Sequence, residues 1–459
     1  MRISKISIKN LFGTFNHDIT LNNEERVTII IGPNGYGKTT TLKLINSLVL
    51  GDFNTLYSTP FDELKVEFID GSSLAVDRKC KSPRTGGRDV TLTLVHTDFS
   101  KNQRDFDLQH FLSPKGIGLP YPSYDELQQD LSTYRPFREK ESFDSLSEFE
   151  NYRRIIGLSQ KERDDLQMSF DYSLFSNNKK LLSEIKIIEE LIGKIKVHFT
   201  TTQRLIKYSH PTRIRGEKPQ TPIVEVFSSD LSKQIEITLA RAMQHAQEID
   251  SSFPRRITEN LKKEDVKVNF SRLLQDLNEL ENKRSRLRNT GLFLELGGDL
   301  RIDEKIQGSE RKDLIGSVLK EYIKDTKEKF KEFDGLVSKL ELLKGIINDR
   351  FLFKTFDITR EDGFVFRNSK NETIPVNHLS SGEQQELVMF YEFLFKVPKD
   401  SLLLIDEPEI SLHIDWQQKF LKDLLEVAKL VGFDVLIATH APAIVNDYWD
   451  LTVDLAGVG

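Results

Sequence analysis

The sequence predicts an α/β protein in which a mixed sheet flanked by helices is interrupted by a helical insertion. Three observations predict this fold. Short apolar strand patterns dominate up to about residue 94 and return after Phe351, a glycine-rich turn joins a strand to a helix, and the chain between has helical spacing. At 459 residues the chain is longer than one ordinary domain needs, as a core domain with an insertion would be.

Composition limits the function classes. Charged residues make up 30% and hydrophobic residues 38%, with a net charge of -6, so a general affinity for polyanions is not expected. The single cysteine, Cys80, can form neither an internal disulfide nor a C-x-x-C metal site, which fits a reducing cytoplasm. The N-terminus alternates polar and apolar residues like a strand, and no apolar run approaches the length of a membrane span. We therefore expect a cytoplasmic protein without a membrane partner.

The stretch "TIIIGPNGYGKTTTLKLI" predicts a phosphate-binding loop between a strand at 27–31 and a helix at 40–48. The glycines let successive backbone N–H groups face a phosphate, Lys38 can reach the β- and γ-phosphates, and the Thr39 hydroxyl can ligate Mg²⁺. All four fixed positions of the motif are present, which argues against a chance glycine turn. The expected nucleotide-binding residues are Gly32, Pro33, Asn34, Gly35, Tyr36, Gly37, Lys38, Thr39 and Thr40.

A polar turn, "LSSGEQQ", stands directly before a predicted helix and has two interpretations. Ser380 and Glu383 have the spacing of a capping box, which would make this an ordinary well-capped helix. Alternatively, Ser381, Gly382 and the free N–H groups of the helix terminus form a second anion site, for which a γ-phosphate is the natural ligand.

Two further segments carry the chemistry. In "SLLLIDEPEISLHIDWQ" an apolar strand at 402–405 delivers Asp406, which can hold Mg²⁺, and Glu407, which can orient and deprotonate an attacking water. Adjacent carboxylates can merely begin a loop, but their position after a phosphate loop and "LSSGE" argues against that. In "FDVLIATH" another strand ends at His440, placed to sense or polarise the γ-phosphate.

The middle of the chain predicts helices. Apolar residues at 319–347 recur in alternating steps of three and four, which suggests one arm of an antiparallel hairpin with 270–289 as the other. At 1.5 Å per residue, an arm of about 30 residues would project ~45 Å. A helical subdomain packed on itself is the open alternative.

The whole chain is expected to divide into five parts. Residues 1–100 and 350–459 are the two halves of the nucleotide-binding head, 101–196 and 226–349 are helical insertions, and 197–225 is a strand with a loop.

These motifs together resemble the ABC-type ATPases, and among them the branch of chromosome-organising (SMC), RecF-like and OLD-like proteins. The resemblance covers about residues 1–95 and 350–450. It implies an ABC-type P-loop head that binds ATP and Mg²⁺, with 32–39 as Walker A, 379–384 as the signature and 411–415 as the D-loop. By resemblance the catalytic residues are Glu407, Lys38 and His440. The residues implied to bind Mg²⁺ are Thr39, Asp406 and Gln203, which is the candidate for the Q-loop glutamine. The further residues implied to contact the nucleotide are Gln203, Ser380, Ser381, Gly382 and Glu383.

The resemblance also implies an assembly. In that family the signature helix completes the ATP site of a partner chain, so two ATP molecules lie between two heads arranged head to tail. We therefore expect a homo-oligomer that is at least a dimer, with larger assemblies left open.

A narrower resemblance is to the ATPases of Septu-type anti-phage systems, the PtuA group, and to related retron ATPases, in the form of "GPNGYGKTT", "TTQRL" and "LSSGEQQ". It implies a small HNH nuclease partner (PtuB-like) in trans and no nuclease activity in this chain alone. A DNA-repair ATPase, a transporter's ATPase subunit and an ATP-sensing scaffold remain alternatives. Four basic clusters could contact DNA, although solvated basic faces are the preferred interpretation: "KCKSPRTGGR", "PTRIRGEKP", "FPRR" and "NKRSRLRN".

Overall fold

A computed structural model describes residues 1–80, 90–108, 179–200, 222–261, 269–291 and 312–456. The chain divides into two compact units, one formed by residues 1–221 with 391–459 and the other by residues 222–390. The fold is mixed α/β, as the sequence predicts. The five-part division expected from the sequence stays a prediction.

The strand patterns read from the sequence are present as strands. β1, β3, β4, β5 and β6 begin in the strand-patterned region up to about residue 94, and β8 lies in the segment 197–225, for which a strand with a loop is expected. In chain order the strands are β1 Ile3–Leu11, β2 Phe15–Thr20, β3 Val27–Ile31, β4 Glu63–Phe68, β5 Ser73–Cys80, β6 Val90–Thr97, β7 Gln103–Asp107, β8 Val197–Thr200, β9 Lys354–Thr359, β10 Gly363–Asn368, β11 Thr373–Ile374, β12 Leu402–Asp406, β13 Asp434–Ala438 and β14 Thr452–Asp454.

The helices include the one predicted after the phosphate loop and the one predicted after "LSS". Within the described ranges, no helix is both long and apolar enough to cross a membrane. In chain order the α-helices are α1 Lys38–Leu50, α2 Phe53–Ser58, α3 Lys179–Gly193, α4 Ile223–Leu261, α5 Phe270–Asn289, α6 Lys312–Arg350, α7 Ser381–Phe395, α8 Ile414–Val431 and α9 Pro442–Val445.

The first unit contains two sheets. One is antiparallel, in the order β2-β1-β4-β5-β6-β7, and the other is parallel, in the order β14-β3-β13-β12-β8. A single hydrophobic core joins them with α1 and α3, and it includes Ile6 and Leu64 of the first sheet, Leu404 and Leu436 of the second, and Leu48 of α1. Burying each such side chain contributes about 1.5–3 kcal/mol. This core holds the ends of the parallel strands in fixed positions.

The second unit contains a small antiparallel sheet, in the order β11-β10-β9, and three long helices. α5 packs on α6 through Phe270, Leu273 and Leu277, which contact Ile323. The direction of this pair corrects the sequence-based prediction. Ion pairs join Asp276 to Lys327 at 2.6 Å, Lys283 to Asp334 at 2.8 Å and Arg286 to Glu341 at 2.6 Å, so residue numbers rise together along both helices.

α5 and α6 are therefore parallel, and the predicted antiparallel hairpin between them is wrong. The antiparallel neighbour of α6 is α4. Lys329 of α6 contacts Asp250 at 2.6 Å, whereas Asn260, further along α4, contacts the earlier Glu321 at 3.2 Å. Hydrophobic spacing shows which face of a helix is buried, but it shows neither the partner nor its direction.

The C-terminal end of α6 is fixed by a buried ion pair. Arg350 pairs with Glu386 of α7, and both side chains are fully buried. The Arg350 guanidinium carbon also lies 4.8 Å from the centre of the Phe390 ring, a cation–π contact. Because loss of either partner would leave a buried charge without its counterion, this pair fixes the α6 end relative to α7.

Candidate functional site

The site lies where three parallel strands end. Asp406 of β12 is paired with Ala438 of β13, and Ala438 is paired with Ile30 of β3. Because the carboxyl ends of parallel strands meet at one edge of a sheet, the segments that follow these strands lie side by side. The loop 32–37, Glu407 and His440 are therefore brought together by strand register.

The loop 32–37 depends on two glycines with left-handed backbone angles. Gly35 has φ 87° and Gly37 has φ 80°, a region that residues with a Cβ rarely adopt. At Gly37 a Cβ would also lie 2.6 Å from Leu11 Cδ2 and 3.5 Å from Phe12 Cε2. The loop thus passes close to the turn after β1, where Phe12 leaves 45% of its surface exposed.

Lys38, the first residue of α1, is buried against the loop 32–37. Its Nζ donates to the carbonyl oxygens of Gly32 at 2.7 Å and Pro33 at 3.1 Å, and to His440 Nδ1 at 3.1 Å. Burial lowers the pKa of Lys38, while the carboxylates of Glu407 and Asp406 act in the opposite direction. The ammonium is therefore held at the mouth of the loop by contacts that a phosphate oxygen can replace.

Thr39 and Asp406 form the candidate metal site. The Thr39 hydroxyl donates to Asp406 Oδ1 at 3.1 Å. Burial raises the pKa of Asp406, and the hydrogen bond from Thr39 opposes that shift. A hydroxyl beside a carboxylate offers the hard oxygen ligands that Mg²⁺ prefers, usually completed by substrate phosphates and water. The described residues contain no group of three or more His, Cys, Asp or Glu side chains that could hold a metal ion.

Glu407 has a strained backbone. Its φ of 46° and ψ of 58° are left-handed, which costs a residue with a side chain about 1–3 kcal/mol. The Glu407 N–H still donates to Ala438 O at 2.8 Å, so the chain turns while it remains tied to the sheet. Its Oε1 lies 3.9 Å from His440 Nε2. The turn directs a half-exposed carboxylate to the edge where the loop and His440 meet.

Tyr36, at a variable position of the loop, packs against the protein. Its ring centre lies 4.9 Å from that of Phe15, and its carbonyl oxygen accepts a hydrogen bond from His17 Nε2 at 2.9 Å. Burial lowers the pKa of His17, which favours the neutral ring. These contacts attach the loop to β2. Nothing in the local sequence motif indicates them, because Phe15 and His17 lie about 20 residues upstream.

Sequence reasoning also missed Glu409. Its Oε1 accepts from the His440 N–H at 2.9 Å, and its Oε2 accepts from the Thr439 hydroxyl at 2.9 Å. The available signal is a further acid in "DEPE", two residues after Glu407.

The "LSSGE" segment forms the capping box that its spacing predicts. The Ser380 N–H donates to Glu383 Oε2 at 2.8 Å, and the Glu383 N–H approaches Ser380 Oγ at 3.4 Å. Lys354 Nζ donates to both Glu383 oxygens, at 2.6 and 2.7 Å. Burial would raise the pKa of Glu383, but the contacts with Lys354 and Ser380 outweigh it and lower that pKa. Ser381 is exposed at the start of α7, and Gly382 follows it.

The structure thus brings together the loop 32–37 and five of the expected side chains, while Gln203 lies outside the described residues. Those five are Lys38, Thr39, Asp406, Glu407 and His440.

The basic clusters that fall in described segments are paired with acids. In "FPRR", Arg255 contacts Glu259 at 3.0 Å and Arg256 contacts Asp325 at 2.6 Å. In "NKRSRLRN", Arg288 contacts Glu281 at 2.6 Å, and two other cations form the helix-pairing contacts described above. These contacts favour a structural role over contact with nucleic acid. The cluster at 211–219 and all but the start of the one at 79–88 lie outside the described residues.

Comparisons with known proteins show a family. The profile of the family described as "AAA ATPase domain" matches residues 1–445. UvrABC system protein A from Chlamydia pneumoniae is 39% identical over 66 residues, which are 14% of this chain, and the chain spans only 4% of the length of that relative.

Two solved structures are similar at low scores. One is the Smc head domain from Pyrococcus furiosus, which has an extended coiled coil and is bound to the C-terminal domain of ScpA. It is 11% identical to this chain and has a TM-score of 0.33, and the match covers 97% of this chain and 91% of that chain. The SMC head domain from Thermotoga maritima is 12% identical, with a TM-score of 0.32 and coverages of 97% and 93%. These scores are too low to support a functional argument.

Proposed function

The chain belongs to the AAA ATPase domain family, and from this premise we propose that it binds ATP with Mg²⁺ at the shared end of β3, β12 and β13 and hydrolyses it to ADP and phosphate. One observation supports this most strongly. Lys38, Asp406 and Glu407 come from distant parts of the sequence, yet strand register places them at one edge. That set contains a phosphate-binding cation, a metal ligand and a base.

Each side chain has a distinct part in the proposed reaction. The loop N–H groups and Lys38 bind the β- and γ-phosphates, and Lys38 exchanges its present carbonyl acceptors for phosphate oxygens. Thr39 and Asp406 would hold Mg²⁺, which when bound neutralises charge on the phosphates. Glu407 orients a water molecule and accepts its proton as the water oxygen attacks the γ-phosphorus and ADP leaves. His440 donates from Nε2 towards the transferred phosphoryl group.

Replacing Glu407 by Gln tests this assignment. The amide keeps the shape of the side chain but cannot accept the proton of the water, so turnover should fall at least about 100-fold while ATP still binds. Phosphate release and ATP affinity are measured on the same preparation. Glu426→Gln, at an exposed position of α8, is the matched control and should hydrolyse ATP like the parent chain. Turnover that persists in Glu407→Gln would refute the role of Glu407 as the base.

We further propose that two copies close head to tail around ATP. The resemblance to ABC-type ATPases motivates this, and Ser381 supports it because it is exposed at a helix N-terminus, where backbone N–H groups favour an anion. Sedimentation of Glu407→Gln with and without ATP tests the proposal. Identical sedimentation in both conditions would count against it.

The biological role rests on the form of the motifs. We propose regulation of a small HNH nuclease in anti-phage defence, with a DNA-repair ATPase of the SMC or RecF type as the alternative. A tenfold preference of ATP for the closed state at each of two sites, about 1.4 kcal/mol per site, gives roughly a hundredfold bias. That bias is large enough for ATP to hold the nuclease inactive and for loss of nucleotide to release it.

Co-purification with the product of the neighbouring reading frame tests the partner. Titration of ATP against DNA cleavage by the reconstituted complex then tests the direction of control. Cleavage that rises with ATP would show that closure activates the nuclease. A partner without nuclease activity, combined with DNA-stimulated ATP turnover, would favour the repair ATPase.

A further inference from the structure

We propose that Glu409 is a positioning residue that sets the location of His440 during ATP turnover, an inference that rests on the proposed ATPase function. Glu409 belongs to the short 3-10 turn Pro408–Ser411 that follows the strand carrying Asp406. Its carboxylate reaches across to the segment after β13 and binds that segment at two consecutive residues.

The contacts use both carboxylate oxygens. Oε1 accepts from the backbone N–H of His440, and Oε2 accepts from the Thr439 hydroxyl, each at 2.9 Å. The same hydroxyl oxygen accepts from the Ala441 N–H at 3.0 Å. One ionised side chain therefore fixes residues 439–441, and charge-assisted hydrogen bonds of this kind are stronger than neutral ones.

The backbone of Glu409 is itself held in place by a hydrogen bond from α8. Gln417 of α8 donates from Nε2 to the carbonyl oxygens of Glu409 and Leu412, both at 3.1 Å. Thr439, on the other side of the contact, is completely buried. The Glu409 contact therefore joins two firmly held backbones and has little freedom to shift.

The position of His440 matters because its ring has two separate neighbours. Nδ1 meets Lys38 Nζ at 3.1 Å, and Nε2 lies 3.9 Å from Glu407. Within the part of the chain that the structure describes, its backbone N–H donates to Glu409 alone. A displacement of about 1 Å at a reacting group can slow a reaction about 100-fold, so loss of the Glu409 contact should affect turnover more than ATP binding.

Two substitutions distinguish geometry from charge. Glu409→Ala removes both hydrogen bonds. Glu409→Gln can keep both, because its carbonyl oxygen accepts from the His440 N–H and its amide donates to the Thr439 hydroxyl oxygen. A positioning role predicts that Gln rescues what Ala loses. A role that requires the negative charge predicts that both variants fail alike.

The experiment combines amide hydrogen exchange without nucleotide, ATP affinity and turnover. In Glu409→Ala we expect exchange at the His440 amide to be at least about tenfold faster and kcat at least about tenfold lower, with Kd for ATP changed less than about threefold. Glu409→Gln should stay within about threefold of the parent in all three quantities. The exposed Glu426→Ala on α8 is the matched control and should behave as the parent chain does.

Unchanged kcat in Glu409→Ala, or equal losses in the Ala and Gln variants, would overturn the proposal. Failure of the proposed function looks different, since a parent chain that does not hydrolyse ATP would refute the ATPase assignment alone. The exchange measurement would still test the Glu409 contact in that event. If Glu409→Ala does not fold, the Gln variant carries the test, because loss of turnover in folded Glu409→Gln contradicts a positioning role.

Discussion

Lys38 Nζ lies 3.1 Å from Nδ1 of His440, so the phosphate loop and the end of β13 are in direct contact. Because a lysine ammonium only donates, Nδ1 of His440 accepts and the ring proton resides on Nε2. Nε2 is the nitrogen that lies 3.9 Å from Glu407. The lysine thereby determines which nitrogen of His440 can donate to a substrate.

Lys38→Ala should weaken ATP binding at least about 30-fold, equivalent to about 2 kcal/mol, because a buried charged donor to the phosphates is lost. Calorimetric titration with ATP measures the change. Lys422→Ala, an exposed lysine of α8, is the control and should bind like the parent chain. Equal affinity in Lys38→Ala and Lys422→Ala would exclude Lys38 as a phosphate ligand.

Gly37→Ala should destabilise the protein more than Gly35→Ala does. Both positions have a left-handed φ, which costs an alanine about 1–2 kcal/mol. At Gly35 a Cβ meets nothing within 4 Å, but at Gly37 it meets Leu11 Cδ2 at 2.6 Å. Chemical denaturation of the two variants measures the difference. The reverse order of stability would contradict the loop geometry.

Arg256→Ala should destabilise the second unit, residues 222–390, by about 2–4 kcal/mol. Arg256 pairs with Asp325 at 2.6 Å and also contacts Glu321, and both acids are less than one-tenth exposed. Without the arginine these two carboxylates would repel each other in a poorly solvated site. The adjacent Arg255→Ala is the control, because Arg255 is 83% exposed and should contribute less than about 0.5 kcal/mol. Urea unfolding that gives equal values for both variants would contradict this account.

Lys354→Met should reduce stability by about 1–2 kcal/mol at pH 7, because Glu383 loses a charge-assisted partner. The pKa of Glu383 is lowered in the folded chain, so its contribution is complete above the unfolded value near 4.5 and is lost as pH falls through the folded pKa. The stability difference between the parent chain and Lys354→Met should therefore shrink as pH falls below the unfolded value near 4.5. A difference that stays constant over this range would show that the pair contributes through packing alone.

Strand register explains why the centre of the site could be predicted. Asp406, Glu407 and His440 each follow an apolar run that reads as a buried parallel strand, and parallel strands end at a common edge. The capping box of Ser380 and Glu383 could be predicted as well, because its contacts span only three residues.

Contacts between distant segments could not be predicted in this way. Lys354 meets Glu383 across 29 residues, and Glu409 reaches Thr439 across 30. The direction of α5 relative to α6 was predicted wrongly, because an apolar stripe is the same whichever way its neighbour runs. Such contacts depend on the tertiary path of the chain, which no local pattern records.

The central proposal is that each ATP is hydrolysed between Lys38 of one copy and the N-terminus of α7, the proposed signature helix, of another. Lys38→Ala should lose ATP binding, whereas Ser381→Arg should bind ATP but fail to close, because the arginine fills the helix N-terminus. Ser369→Arg, at an exposed turn of the same unit, is the control and should turn over normally.

Mixing the two inactive variants tests this claim most directly. In a mixed dimer one site combines the intact Lys38 of one copy with the intact Ser381 of the other. An equal mixture should therefore recover up to about one quarter of the parent turnover, since half the dimers are mixed and each has one intact site of two. Turnover of the mixture that stays at the sum of the separate variants would contradict a site shared between two copies.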